Sequence, residues 1–218
     1  MHIKYNISMG FKIDMHVHTI MSGDNDSEPE EMVQMAIERG LDAIVFTEHS
    51  SYEASGYAER LSEKYPSILI MRGVEFSASE GHCLVYGANT DPLDLWETTV
   101  QDLTDAVLAQ GGVVIPSHPF RTGSGIGELA LSLKGITALE GANGANIHPM
   151  NVHAIKLAKS LSLPSTGGSD AHGPKSVGSC HTEFESIVTK ENFIAKLKEG
   201  SYRPVDNRKI SKMDWLLK

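Results

Sequence analysis

In the segment "KIDMHVHTIMSGD", Asp14, His16 and His18 stand two residues apart immediately after an apolar run, and Asp24 closes the stretch. Alternate residues of an extended strand project to the same side, so this spacing lets His16 and His18 reach one ion. Asp14 shares their side, either as a ligand or as a carboxylate that orients one. Imidazole nitrogen and carboxylate oxygen together suit zinc, manganese or iron. On its own the segment reads more readily as the polar edge of a strand. Four further clusters shift that reading: Glu48 and His49 after "AIVF", Glu75 and His82 in "VEFSASEGH", His118 after "VVIPS", and Asp170 with His172 in "GGSDAHG". Each meets the end of an apolar run and each carries metal-ligand residue types. That coincidence favours one multinuclear metal site over unrelated polar turns.

The elements that must position these residues alternate between strand-like and helix-like segments, an α/β pattern without a long linker or low-complexity tract. Phe11 to Met15 reads as a strand, and Ser27 is expected to cap a helix with Pro29 and Glu30 in its first turn. Met32, Met35 and Ala36 form that helix's apolar stripe, and Gly40 marks its end. Ala43 to Phe46, "ILIMRGVE", "CLVYG", "GGVVIPSHP" and "LPSTGGSDAH" read as further strands. Apolar residues at helical spacing place helices over Leu93 to Gln110, Asn151 to Leu161 and Glu191 to Glu199. In folds built this way the carboxyl ends of the strands form one face, and all five polar clusters fall there. A dinucleotide-binding arrangement is not indicated, because no G-x-G-x-x-G follows a strand and the "GSGIG" after Arg121 lacks that setting.

The chain has 218 residues, 40% hydrophobic and 22% charged, which suits one packed soluble domain. A net charge of -9 repels a phosphate backbone, so nonspecific duplex nucleic-acid binding is not expected. Bound divalent cations would reverse the field inside a carboxylate-lined cleft, and small phosphorylated substrates therefore stay open. Two cysteines, Cys83 and Cys180, supply neither a disulfide framework nor a cysteine-rich zinc knot. The start "MHIKYNISMGFK" lacks the apolar core of a signal peptide, and no run of about 18 apolar residues occurs, so a cytoplasmic protein without a membrane partner is expected.

"DMHVHTIMSGD", "VFTEH", "RGVEFSASEGH", "IPSHPFR" and "TGGSDAH" occur in an order and spacing that resembles the PHP family, the polymerase and histidinol phosphatase superfamily, from about Lys12 to His181. The resemblance implies a single PHP-type domain over 1–218, with a C-terminal strand, helix and tail over 182–218. It implies a distorted (β/α)7 barrel with the metal cleft at the C-terminal ends of the strands. It also implies two or three divalent ions. Carried over residue by residue, one ion takes His16, His18, Glu75 and Asp170. Glu75 bridges to a second, which takes His82 and His118, and a third takes Asp24, His49 and His172. The chain departs from the pattern of many members at Asp24 and at Glu48. The other expected ligands are all present, which speaks against a noncatalytic copy.

The expected function is a metal-dependent phosphoesterase acting on a small phosphomonoester or a nucleotide-like phosphodiester. A hydroxide bridging two ions is the expected nucleophile, so no serine or cysteine is required. Arg121, three residues after His118, offers planar donors to a phosphate, against the plainer reading of a surface ion pair. Lys175 in "HGPKSVG" is a second possible phosphate contact, or a solvated loop lysine. Two alternatives stand beside this reading: an amidohydrolase-like enzyme acting on an amide or lactone, and a noncatalytic, metal-stabilised accessory module. His148, His153 and His181 match no ligand position, and Asn143 is read as a hydrogen-bonding residue near substrate or water. The loop from Arg121 to Gly127 and the segment 50–64 are the expected cleft walls.

Overall fold

The computed structural model describes residues 10–209 except 50 and 96, so the expected tail beyond 209 and the wall position at Ser50 lie outside the described residues. The apolar runs that precede the polar clusters form strands. β1 (Phe11–Val17) and β2 (Ala43–Phe46) lie parallel with Ile13 opposite Ala43, and β2 pairs in parallel with β3 (Leu69–Arg72). The single strand expected through "ILIMRGVE" is in fact two. The chain breaks at Gly73, and β4 (Val74–Ala78) joins a separate three-stranded antiparallel sheet with β5 (Gly81–Tyr86) and β6 (Val113–Pro116). A Cβ on Gly73 would stand 2.6 Å from the Tyr86 ring and 2.8 Å from the Val85 carbonyl, so this change of sheet requires glycine.

β7 (Leu139–Asn143) and β8 (Ser165–Gly168) make a parallel pair. β9 (Cys180–Phe184) runs antiparallel to β1 and to β10 (Tyr202–Asp206), completing a five-stranded sheet in the order β10-β9-β1-β2-β3. The strand tips then join across sheets. Glu75 N–H donates to the Glu48 carbonyl (3.1 Å), Asp170 N–H to that of His16 (2.7 Å) and His18 N–H to that of Ala171 (3.0 Å). The described strands thus form three sheets meeting at their ends rather than one continuous hydrogen-bonded barrel.

Among the described residues five α-helices connect them: α1 (Pro29–Glu38), α2 (Ala58–Lys64), α3 (Val100–Ala109), α4 (His148–Ser160) and α5 (Phe193–Glu199). α1 ends as expected at Gly40, whose φ is 66°. Its start differs by one residue. Glu28, not Ser27, takes the cap position and donates its N–H to the Glu31 carboxylate (3.3 Å), while the Ser27 hydroxyl turns to the His172 carbonyl (3.3 Å). α3 begins only at Val100, because Thr99 caps it by accepting from the Asp102 N–H at 3.1 Å. Leu93 and Leu95, expected inside that helix, pack against the core from outside it. No described helix is long and apolar enough to cross a membrane.

The core has three parts. A central cluster takes Ile13, Met15, Val45, Met71, Leu84, Tyr86 and Ile115 from two sheets, with Leu197 from α5. The Tyr86 hydroxyl crosses it to donate to the Met15 carbonyl at 2.7 Å. One outer cluster packs α1 and α2 on the first sheet through Met32, Ala36, Phe46 and Leu61; the other packs α3 on the second through Val85, Leu103 and Val107, and α4 on β7 through Leu139 and Ala158. Each fully buried side chain of this kind contributes roughly 1.5–3 kcal/mol, which offsets the cost of holding polar strand tips away from water.

Candidate metal centre

His16 Nε2 lies 3.4 Å from Glu75 Oε2 and 3.5 Å from Asp170 Oδ1, and His18 Nε2 lies 3.4 and 3.3 Å from the same two oxygens. The other Glu75 oxygen faces a different pair: Oε1 is 2.8 Å from His118 Nε2 and 3.4 Å from His82 Nδ1. Asp24 Oδ2 stands 2.9 Å from His49 Nε2 and 3.0 Å from His172 Nε2. His49 Nδ1, 3.2 Å from Glu75 Oε2, links this third group to the first. All nine residues expected as ligands therefore meet in one cluster. Three subsets are close enough to hold an ion each: His16, His18 and Glu75; Glu75, His82 and His118; and His18, His49 and His172.

Local backbone geometry explains how distant strands converge. A register shift in β1 between Asp14 and Val17 re-aims the tip that carries His16 and His18. Gly168 lets β8 approach it, since a Cβ there would fall 2.4 Å from the His16 Cβ. His118 (φ 31°) and Asp170 (φ 52°) adopt the left-handed region that side chains avoid, at about 1–3 kcal/mol each. Strain of that size at two ligand positions is held in place by the surrounding hydrogen bonds.

Those bonds also fix the imidazole rings. His16 Nδ1 donates to Glu140 Oε1 (2.8 Å), His18 Nδ1 to the Ser22 hydroxyl (3.1 Å) and His172 Nδ1 to the Asp170 carbonyl (3.1 Å). In each ring the Nε2 lone pair is thereby left for an ion. His16 Nε2 and His18 Nε2 are buried without any hydrogen-bond partner, which is the condition a cation would relieve. The chemistry of the donors agrees: imidazole nitrogens and carboxylate oxygens around one centre fit zinc, manganese or iron.

The electrostatics point the same way. Burial pulls the His16 pKa down, but the carboxylates of Asp170, Glu140 and Glu75 more than reverse this and hold it well above the usual range. His18, likewise desolvated, is raised to about 8 by Asp170 and Glu75. Burial would push Glu75 and Asp170 up, yet His16 and the neighbouring rings hold both well below the usual carboxylate range. The buried acids thus draw positive charge onto the rings, charge that divalent cations would otherwise supply.

Three supporting residues, Glu140, Ser22 and Ser117, escaped sequence reasoning. Glu140, 1% exposed, accepts from the His16 ring, from the His118 N–H (2.8 Å) and from the Asn143 amide (2.9 Å). Its one signal was a carboxylate in the middle of the apolar run "ITALEGAN". The Ser22 hydroxyl in turn donates a hydrogen bond to Glu48, which also accepts from Thr19 and Tyr57. Ser117 donates to Glu75 Oε1 at 2.8 Å. Asp14 touches no ligand ring. It accepts from the Ser169 (2.8 Å) and Gly178 (2.7 Å) N–H groups and so holds the backbone that carries Asp170; burial raises its pKa to about 6 against these bonds.

Arg121 reaches the cluster, with its guanidinium engaged: Nη1 lies 2.7 Å from Asp170 Oδ2, Nη2 donates to Asn143 Oδ1 (2.8 Å) and Nε to Asn146 Oδ1 (2.9 Å). Asn143 meets Asp170 Oδ2 as well, at 3.2 Å. Lys175 is exposed, and its carbonyl accepts from Arg39; among the described residues its ammonium pairs with none of the cluster's carboxylates. His148, His153 and His181 join none of the three groups, His153 packing instead on Phe120 at 5.3 Å between ring centroids. The loop after Arg121 reaches β5, where His82 N–H donates to the Ser124 carbonyl at 2.8 Å.

Comparison with known proteins places this geometry. No curated protein matches the sequence. Among solved structures, a protein from Bifidobacterium adolescentis named as a metal-dependent phosphoesterase superposes with a TM-score of 0.62 at 17% identity, over 86% of this chain and 94% of that one. The lesion-specific endonuclease EndoQ of Pyrococcus furiosus does so at 0.68 and 16% identity, over 92% of this chain and 60% of its own. An amidohydrolase from Chromobacterium violaceum, carrying sulfate and no metal, gives 0.66 and 17% identity over 90% and 98%. At such identities the likeness is one of fold, and the three names span different chemistries. Family models are more specific: the PHP domain matches residues 14–110, which hold six of the nine expected ligands, and a PHP-associated model matches 149–202, which hold Asp170 and His172; His118 falls between the two. With two such matches over more than half its length and their ligand positions joined in one cluster, the chain belongs to the PHP family.

Proposed function

We propose that this chain is a metal-dependent phosphoesterase that hydrolyses a small phosphomonoester or a nucleotide-like phosphodiester, using two or three ions of zinc, manganese or iron. The observation that carries the reading is Glu75. This carboxylate, 1% exposed, turns one oxygen to His16 and His18 and the other to His82 and His118, as a ligand shared between two ions must. Asp170 would complete the first ion's set, and Asp24, His49 and His172 would hold a third. When bound, such ions neutralise phosphoryl oxygens and lower the pKa of coordinated water.

The chain's own side chains orient and bind. Ser117 fixes the shared carboxylate by donating to its Oε1. Three N–H groups of Arg121 are spent on Asp170, Asn143 and Asn146, which leaves two of its five for a substrate oxygen, on a side chain 28% exposed. Lys175, exposed in the loop after His172, is the second candidate phosphate contact. Neither cysteine serves as a nucleophile: both are buried, and burial raises their thiols above the usual range. Two free thiols also fit a reducing cytoplasm. We read the tip-joined sheets, with α1 to α4 outside a central apolar cluster, as a distorted (β/α)7 barrel within a single domain.

The test is a hydrolysis panel with protein stripped of metal and reloaded with each ion in turn. Phosphomonoesters, cyclic and linear phosphodiesters, a DNA oligonucleotide, amides and lactones are offered in parallel. The expected result is phosphate-ester cleavage that His16→Ala and Asp170→Ala abolish, with competitive inhibition by inorganic phosphate that Arg121→Ala weakens. Turnover of amides or lactones alone would replace this reading with a carbon-centred one. Metal-dependent stabilisation without any turnover would replace it with an accessory module.

A further inference from the structure

A second polar cavity lies along β1 and β9, and none of the nine metal-site residues lines it. Its volume is about 600 Å³, within the size range of small-ligand sites, and Lys12, Arg39, His181, Glu183, Asn207 and Arg208 bound it. In a chain of net charge -9, this wall holds three cations against one carboxylate. The carboxylate is already matched, since Glu183 pairs with Arg203, and Arg208 pairs with Asp206. The other two cations are not neutralised. Arg39 spends its donors on the main-chain carbonyls of Val177 (2.5 Å) and Lys175 (2.6 Å), and Lys12 forms no ion pair among the described residues.

His181 supplies an independent sign of a missing ligand. The residue is 4% exposed. Asn207 Nδ2, which donates to the Gly178 carbonyl (3.1 Å), also lies 3.1 Å from His181 Nδ1. An amide nitrogen has no lone pair to offer, so it donates to Nδ1 and the neutral ring carries its proton on Nε2. Burial, and after it the charge of Lys12, keep the ring neutral. His181 Nε2 is therefore a buried N–H donor, and it has no hydrogen-bond partner. Buried donors are almost always satisfied, and an acceptor in the adjoining cavity would satisfy this one.

We propose that this cavity is a binding site for a small phosphate-bearing molecule, separate from the metal centre, with Lys12 and Arg39 matching the two charges of the phosphate and His181 Nε2–H donating to one of its oxygens. Two unneutralised cations beside a neutral donor suit a dianion better than a monocarboxylate.

Calorimetric titration of the full-length, metal-loaded protein with inorganic phosphate tests this without reference to any turnover. Two classes of site are expected, one at the metal centre and one in the cavity. Lys12→Gln with Arg39→Gln should weaken the cavity class at least tenfold and leave metal content unchanged, while Arg121→Ala should affect only the other class. Because Arg39 also ties down the loop at Lys175 and Val177, Lys12→Gln alone serves as the milder variant, with at least a threefold loss expected and recovery in Lys12→Arg. A single class of site, or a second class indifferent to both Lys12 variants, would overturn the proposal. So would acetate binding in the cavity as tightly as phosphate.

Discussion

The candidate ligand cluster has a dry half and a wet half. The side chains of His16, His18, Glu75 and Asp170 are at most 2% exposed, whereas those of His49, His172 and Asp24 are 24%, 37% and 40% exposed. In the dry half the rings of His16 and His18 are braced by Glu140 and by Ser22 with Glu48 behind it. In the wet half only His172 has such a brace, from the carbonyl of Asp170 in its own loop. Burying carboxylates costs several kcal/mol each unless positive charge accompanies them. The dry half therefore needs positive charge as part of the fold, on its rings or on an ion, while water can serve the wet half.

The sharpest way to break this contrast is to remove a dry ligand. Asp170→Ala or His16→Ala should lower ester turnover by about 10²–10³-fold or more, the scale on which single electrostatic elements of active sites act. Each should also destabilise the protein by roughly 3–5 kcal/mol, because a buried charge loses its partner. Turnover with a phosphate ester and thermal unfolding, measured on the same samples, check both effects. A dry-half variant that keeps its melting point would show that these charges are not part of the fold.

Metal removal tests the same commitment through pH. In the metal-free protein the His18 pKa is about 8, against 6.5 for an unperturbed imidazole. A folded-state pKa above the unfolded one gives stability that is complete below the unfolded value and is lost as pH rises through the folded one. Stripped protein should therefore lose on the order of 2 kcal/mol between pH 6.5 and 8 from this residue, with His16 adding in the same direction at higher pH. Asp14, raised to about 6, has the same sign in a lower window, from about pH 4 upward. Metal-loaded protein should not show the loss above pH 6.5, since the ions take the place of the ring protons. Urea unfolding at pH 6 and pH 8.5, with and without metal, measures the difference; a stripped protein that gains stability toward pH 8.5 would contradict it.

What was legible in the sequence follows the same division between residues that announce themselves and residues that depend on a distant strand. Most of the candidate ligands are readable because they are polar residues at the ends of apolar runs, and α/β folds gather such ends on one face. Glu140 is different: its partner His16 lies 124 positions earlier, and nothing local distinguishes a buried brace from an ordinary strand glutamate. The break between β3 and β4 was hidden for a related reason, since Gly73 is required by the ring of Tyr86, a residue that enters the neighbouring sheet. Glu28 displaced Ser27 at the start of α1 because the serine hydroxyl meets the His172 carbonyl, a contact available only once β8 has reached β1. Asp14 shares a strand side with His16, yet its oxygens are claimed by Ser169 and Gly178. Spacing along one strand specifies direction, whereas the loops folded against that strand decide the partner.

Glu140 offers an intermediate test, because it supports the dry half without touching an ion. Glu140→Gln keeps the shape and removes the charge that the His16 ring leans on. Affinity for the most tightly held ion should fall by about 10–100-fold, the usual cost of losing such a partner, with no change in the number of ions bound at saturation. Competition with a chelator and metal analysis measure the two quantities separately. Loss of an ion from the count would make Glu140 a ligand instead.

The smallest effect is expected in the wet half. Asp24 touches His49 and His172 through a single oxygen, and the charges of His172 and His49 hold its pKa below the usual value despite partial burial. Asp24→Asn keeps the shape but removes the negative charge on which a third ion would rely. Metal analysis should then find one ion fewer per chain, turnover should fall by about tenfold or less, near the low end of what a supporting group costs, and the melting point should stay within about 1 °C. An unchanged metal count would make the cluster binuclear, with Asp24 serving only to align two histidines. A turnover loss as large as that of Asp170→Ala would erase the distinction between the halves, because the exposed ion would then carry as much of the chemistry as the buried one.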